Sequence, residues 1–103
     1  MAIVELFRAL GDPSRLEMIR RLSSSEAHSI NSLSEGLEIS RQGARKHLQI
    51  LVDAQLIRLV PNGRDTGVRL DRDRLEQGKL FIAELERQWD KRLASLRRFV
   101  EVE

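Results

Sequence analysis

Ser40, Arg41, Gln42, Gly43, Arg45 and Lys46 gather a hydroxyl, two guanidinium groups, a carboxamide and an ammonium into one short run of the chain. Groups of this kind read nucleic acid. A glutamine amide pairs bidentately with adenine, and arginine or lysine with guanine or phosphate; a good pair is worth roughly 1–3 kcal/mol of base discrimination. Arg45, on the flank of the set, suits backbone contact as well as base contact. Gly43 costs about 1 kcal/mol inside a helix. That cost makes sense if the helix end must approach DNA closely, although a tolerated surface glycine reads the same way. Further on, Arg64 at a turn, with Arg58 and Arg69 on its arms, suits phosphate or a flanking minor groove, with simple solvation as the alternative.

Other chemistries are poorly supplied. There is no Cys, which removes disulfides, thiolate metal sites and thiol redox sensing together. The two histidines are isolated: His28 precedes a helix cap as an exposed loop residue, and His47 either reaches a phosphate or packs partly buried. Without paired carboxylate spacing they imply no metal site, and nothing calls for a cofactor. No Ser lies in a Gly-x-Ser-x-Gly turn and no glycine loop cradles phosphate, so an enzyme is not expected. Glu84, Glu86 and Asp90 alternate with Arg87, Lys91 and Arg92 as solvated helix faces do. Three Phe, one Trp and no Tyr argue against base stacking on an aromatic platform.

The net charge of +2 is unevenly spread. Residues 1–40 carry four basic and six acidic side chains, residues 41–69 carry six basic and two acidic, and residues 70–103 hold eight of each. The positive surplus therefore sits on Arg41–Arg69, where phosphates would need it.

The elements that must position these groups follow from spacing. At 103 residues, 41% hydrophobic and 33% charged, the chain supports one ordered domain over 1–103. Ile3, Leu6, Phe7 and Leu10 predict a short first helix ended by Gly11. Asp12 as N-cap and Pro13 as first helical residue start a second helix, which buries Leu16, Met18, Ile19 and Leu22 and fades in Ser23-Ser24-Ser25. Ser29 caps a brief third helix containing Ile30 and Leu33, stopped by Gly36 in a left-handed conformation. Leu37-Glu38-Ile39 forms a turn whose apolar residues plug the gap between helices. Ser40 caps a fourth helix running to about Ala54. With Ala44 at zero and about 100° per residue, Leu48 and Leu51 fall within about 40° of it, while Gln42, Lys46 and Gln49 fall opposite. Residues 30–54 thus read as a helix-turn-helix.

Strand character at Leu56–Val60, turn residues from Pro61 to Gly67 and renewed alternation at Val68–Leu70 predict a β-hairpin over 56–70 with a basic tip. A last helix over 73–101 carries Leu75, Ile82, Leu85, Trp89, Leu93, Leu96 and Val100 in one stripe. About 27 residues would run roughly 40 Å, too long to bury against so small a body, so the stripe is expected to meet another chain. Trp89 there either anchors such an interface or lines a small-molecule pocket between subunits. No segment is apolar for long enough to span a membrane. The start MAIVELFRALGDP lacks the pattern of a signal peptide, so a cytoplasmic location is expected.

The order of elements, mainly α with a small β-hairpin, resembles the ArsR/SmtB-type bacterial winged helix-turn-helix repressors. FRALGDPSRLEMIRRLSS is similar to the family's second-helix motif, with Asp12, Pro13, Arg15 and Leu16 at its centre. LSEGLEISRQGARKHLQILVDAQLI is similar to its reading motif, ending in Leu48, Leu51, Leu56 and Ile57. The resemblance implies a symmetric homodimer on a palindromic operator in double-stranded DNA, with the first and last helices at the interface. On this chain those helices offer Ile3, Leu6, Phe7, Leu10, Ile82, Leu85, Trp89, Leu93 and Leu96. It also implies DNA contact by Ser40, Arg41, Gln42, Gly43, Arg45 and Lys46. The family's metal ligands are missing: the third helix has no Cys pair and the last helix no His. No effector is therefore implied, and a small molecule stays open. A different class of reading, a dimeric winged-helix adaptor docking proteins through its long helix, would not need Arg41, Arg45, Lys46 and Arg64 on one side.

Overall fold

The computed structural model describes residues 2–24 and 28–101, and the caps read from the sequence set its helix boundaries. Helix α1 (Ala2–Leu10) stops at Gly11. Asp12 then starts α2 (Pro13–Ser24), its carboxylate accepting from the N–H groups of Ser14 and Arg15 at 2.9 and 3.1 Å. The fade expected at Ser25 lies outside the described residues. Ser29 opens α3 (Ile30–Ser34) through a reciprocal capping box with Ser32. Gly36 takes a left-handed φ of +79°, and Leu37 and Ile39 pack from the turn onto the core. Ser40 starts α4 (Arg41–Asp53), its Oγ accepting from the Gly43 N–H at 3.0 Å. The helix ends in a Schellman reversal, with the Gln55 N–H bonded to Val52 O at 2.9 Å and the Leu56 N–H to Leu51 O at 3.0 Å. Gln55 holds the left-handed position there at a φ of 63°, without the glycine that usually occupies it.

Three short strands form an antiparallel sheet in the order β1-β3-β2: β1 (His28–Ser29), β2 (Ile57–Asn62) and β3 (Asp65–Leu70). The hairpin is tighter than its turn-rich sequence suggests. Asn62 pairs with Asp65, leaving Gly63 and Arg64 as a two-residue loop with a positive φ at Gly63. The strand β1 was not expected. His28, read as a loop residue, pairs through its backbone with Val68, and Ser29 with Gly67, which ties the hairpin to the start of α3.

The core lies among α1–α4 and the hairpin base, where Leu6, Met18, Leu33, Leu51, Leu56, Ile57 and Val68 are sealed. Two expectations are corrected here. Leu16 is 54% exposed, because it sits roughly 110° around α2 from the middle of the arc that Met18, Ile19 and Leu22 bury. Leu6 is 1% exposed, so it belongs to its own chain's core and offers no contact to a second subunit. It packs on Gly78 of α5 (Arg72–Glu101), where a Cβ would stand 3.2 Å from Leu6 Cδ2. Beside this contact Phe7 meets Phe81 with tilted rings 5.7 Å apart.

Beyond that crossing α5 runs free. Thirty residues span about 45 Å, and the molecule measures 70 × 26 × 26 Å. Ile82, Leu85, Trp89, Leu93 and Leu96 are exposed, as are Leu80, Phe81, Phe99 and Val100.

Three arginines close the helix ends. From α2, Arg15 donates to Ala9 O at 2.7 Å and Arg8 O at 3.4 Å at the end of α1, while Arg21 reaches Leu33 O at 3.1 Å and Glu35 O at 2.7 Å at the end of α3. From α5, the buried Arg74 donates to Ala54 O at 2.8 Å, just past α4. Arg74→Met is expected to lower stability by about 1–3 kcal/mol in urea melts, since it strands a buried carbonyl. Gln55→Gly is expected to raise stability by about 1 kcal/mol in the same assay by relieving the left-handed backbone.

Candidate nucleic-acid interface

Helix α4 divides into two faces. Ala44, Leu48 and Leu51 are buried, whereas Arg41, Gln42, Arg45, Lys46 and Gln49 are exposed. Gln49 donates to Asp53 Oδ1 at 2.8 Å along the helix surface, and the Gln42 amide has no partner among the described residues. Gly43 has a local reason to be glycine, since a Cβ there would stand 3.2 Å from the Ser40 Oγ that caps the helix. Close approach to DNA need not be invoked to explain it.

Arg64, at the hairpin tip, joins Arg41 and Arg45 around a concavity of about 330 Å³, with Ser29, Ile30, Asn31 and Thr66 on its other walls. A shallower depression next to it spans Gln42, Arg45, Lys46 and Gln49. Among the described residues Arg41, Arg45, Lys46 and Arg64 have no ion-pair partner. The arrangement therefore offers donors and positive charge to a polyanion along one continuous surface. Asn31 and Thr66 were not singled out from the sequence. Only the β1 pairing that draws α3 against the hairpin brings them here.

Arg58 and Arg69 lie elsewhere. They face each other in register near the hairpin base, roughly 15 Å of strand from the tip. Arg58 Nε approaches Asp71 at 3.8 Å, and Arg69 lines a separate cleft with the end of α2. The structure thus collects Ser40, Arg41, Gln42, Gly43, Arg45, Lys46 and Arg64, and leaves these two apart.

His47 takes the packing role. Its Nδ1 accepts from Arg15 Nη1 at 3.1 Å and lies 3.8 Å from Asp12 Oδ2. The inner flank of α4 is thereby fastened to the cap of α2 and, through Arg15, to the end of α1. The carboxyl of Asp12 is held below the usual range, first by the Arg15 backbone N–H and also by the charge of Arg15. On α2, Glu17 is lowered from the usual 4.5 to about 2, chiefly by its hydrogen bond with Arg20 and further by Arg21.

Among the described residues no group of three or more His, Cys, Asp or Glu is placed to hold a metal ion. No helix there is long and apolar enough to cross a membrane. A helix-turn-helix domain model matches residues 10–60. An ArsR-like transcriptional regulator from Rhodococcus sp. RHA1 is 30% identical, with a TM-score of 0.81 over 95% of this chain and 92% of its own. The chain belongs to the ArsR family of transcriptional regulators.

Two more distant structures share the ArsR-type fold. The transcriptional repressor BigR from Xylella fastidiosa is 17% identical, with a TM-score of 0.61 over 79% of this chain and 83% of its own. A homodimeric winged helix-turn-helix DNA-binding domain from Mycobacterium bovis is 15% identical, with a TM-score of 0.66 over 87% and 83%. No curated protein sequence matches significantly. This ArsR-family chain has the helix-turn-helix and the hairpin and contains no cysteine.

The lowered carboxyls make stability sensitive to acid. Their contribution is complete above the unfolded pKa values, near 4, and is lost as pH falls below them, for Glu17 toward about 2. The melting temperature, followed by circular dichroism, is expected to drop across that window. The drop should be slightly less steep in Asp12→Asn and almost unchanged in Glu17→Gln, whose exposed ion pair contributes little.

Proposed function

We propose that this ArsR-family regulator is a cytoplasmic homodimer that binds a palindromic operator in double-stranded DNA and represses transcription by blocking promoter access. One observation carries the reading: Arg41, Gln42, Arg45 and Lys46 stand exposed on a helix whose other face is sealed, with Arg64 of the wing beside them. In this reading α4 enters the major groove, where Gln42 pairs with adenine and Arg41, Arg45 and Lys46 take guanine or phosphate. Arg64 meets phosphate or the adjoining minor groove. The homodimer is supported by the exposed stripe Ile82, Leu85, Trp89, Leu93 and Leu96, with Ile3, Phe7 and Leu10 near its root, and by the homodimeric Mycobacterium bovis relative. Two-fold symmetry would set the two reading helices about 34 Å apart on one DNA face.

Anisotropy titrations with a selected operator and with random duplex, at low and high salt, test this. Affinity is expected to fall about a thousandfold or more between 50 and 200 mM salt. Because the dimer carries each residue twice, Gln42→Ala should cost about 2–6 kcal/mol on the operator and little on random duplex, whereas Arg64→Ala should weaken both alike and reduce the salt slope by about 2. Equal losses for Gln42→Ala on both duplexes would make it a positioning residue. A dimer indifferent to duplex at every salt concentration would return the adaptor reading.

A further inference from the structure

Between the end of α2, the end of β3 and the first turn of α5 lies a cleft of about 610 Å³, within the range of small-molecule sites. Its floor is apolar, made by the buried Leu22 and the half-buried Leu70 and Leu75. Its rim carries Arg69 and Arg72, both exposed and, among the described residues, both without a hydrogen-bond or ion-pair partner. The intervening carboxylate, Asp71, is already engaged: it accepts from the Arg74 N–H at 3.2 Å and faces Arg58 at 3.8 Å. The third component is a pair of hydroxyls. Ser23 and Ser24 donate to the carbonyls of Ile19 and Arg21 at 3.0 and 2.9 Å, which leaves their oxygens as acceptors.

Cations, an apolar floor and hydroxyl acceptors in one cleft define a ligand. We propose that it binds a small organic acid with an apolar body and a hydroxyl or N–H donor, and that this acid is an effector of the regulator. The carboxylate meets the guanidinium groups, the body covers the leucines, and the donor meets a serine oxygen. A DNA phosphate would use the cations and leave the floor idle. The cleft joins the end of a body helix, the strand that leads to the wing tip and the root of the exposed helix. An occupant therefore braces these elements against one another, and by linkage any change it makes in DNA affinity is returned in its own. The effector role rests on the DNA-binding reading; the binding itself does not.

The test uses the full chain, isotope-labelled and free of DNA, titrated with 4-hydroxybenzoate and followed by amide NMR. Shifts are expected at residues 22–24 and 69–75. Methyl 4-hydroxybenzoate and inorganic phosphate should each bind about tenfold more weakly or worse, and Arg72→Gln or Arg69→Gln should weaken the acid by a similar factor. The spectrum of each variant reports directly that it is folded. Phosphate binding as tightly as the acid, binding that survives both substitutions, or no shifts up to about 10 mM acid would each overturn the site. In the presence of DNA the acid should change operator affinity about fivefold or more; saturation of the cleft with unchanged operator affinity would overturn the effector role. Because binding is read without DNA, a failure of the DNA reading shows separately, as loss of duplex binding with the acid still held.

Discussion

At the C-terminal ends of α1, α3 and α4, backbone carbonyls meet a guanidinium group delivered by another helix. A helix end leaves up to four carbonyls without intrahelical partners, and a short chain has few layers with which to cover them. Arg15, Arg21 and Arg74 meet this need, and because each spans two elements, each also fixes how those elements sit. Arg15 does most, holding Ala9 and Arg8 of α1 on one side and His47 of α4 on the other. The orientation of α4 is thus set by polar clamps at its flank and its end as well as by the apolar seam of Ala44, Leu48 and Leu51.

The remaining arginines divide by partner. Arg20 and Arg87 are paired with carboxylates on their own helices and Arg58 with Asp71. Exposed pairs of this kind contribute little to stability, but they occupy cations that would otherwise compete for anions. Among the described residues two groups of unpaired cations are gathered, while Arg8, Lys79, Arg92, Arg97 and Arg98 stand apart from both along α1 and α5. Arg41, Arg45, Lys46 and Arg64 share the surface beside α4, and Arg69 and Arg72 share the cleft at the root of α5. A modest net charge can therefore coexist with strongly directional fields.

Local physics made part of this legible in the chain itself. Asp12, Ser29 and Ser40 cap helices through bonds to residues two or three positions away, so they can be recognised without knowing the fold. The phase of α4 follows from Ala44, Leu48 and Leu51 alone, and both of its faces were readable in advance. The clamps were not, because an arginine bound to a distant carbonyl looks in sequence like any solvated arginine. The two-residue β1 carries no periodicity, and the depth of Leu6 depends on Gly78, seventy-two positions away. Leu16 misled because it is apolar beside the buried arc of α2 yet lies outside it. For the site, the α4 residues and Arg64 were legible, while Asn31 and Thr66 needed the tertiary pairing of β1 with β3.

The open margin of the small sheet has a consequence of its own. On that margin β2 presents ladder groups that an incoming strand could engage, but Pro61 withholds one N–H and Arg58 sets a charge along the approach. On the far side β1 is only two residues long and passes straight into a helix. Both borders are thus poor templates for strand-by-strand growth, so the exposed apolar surface of α5 is not reinforced by a sticky sheet edge.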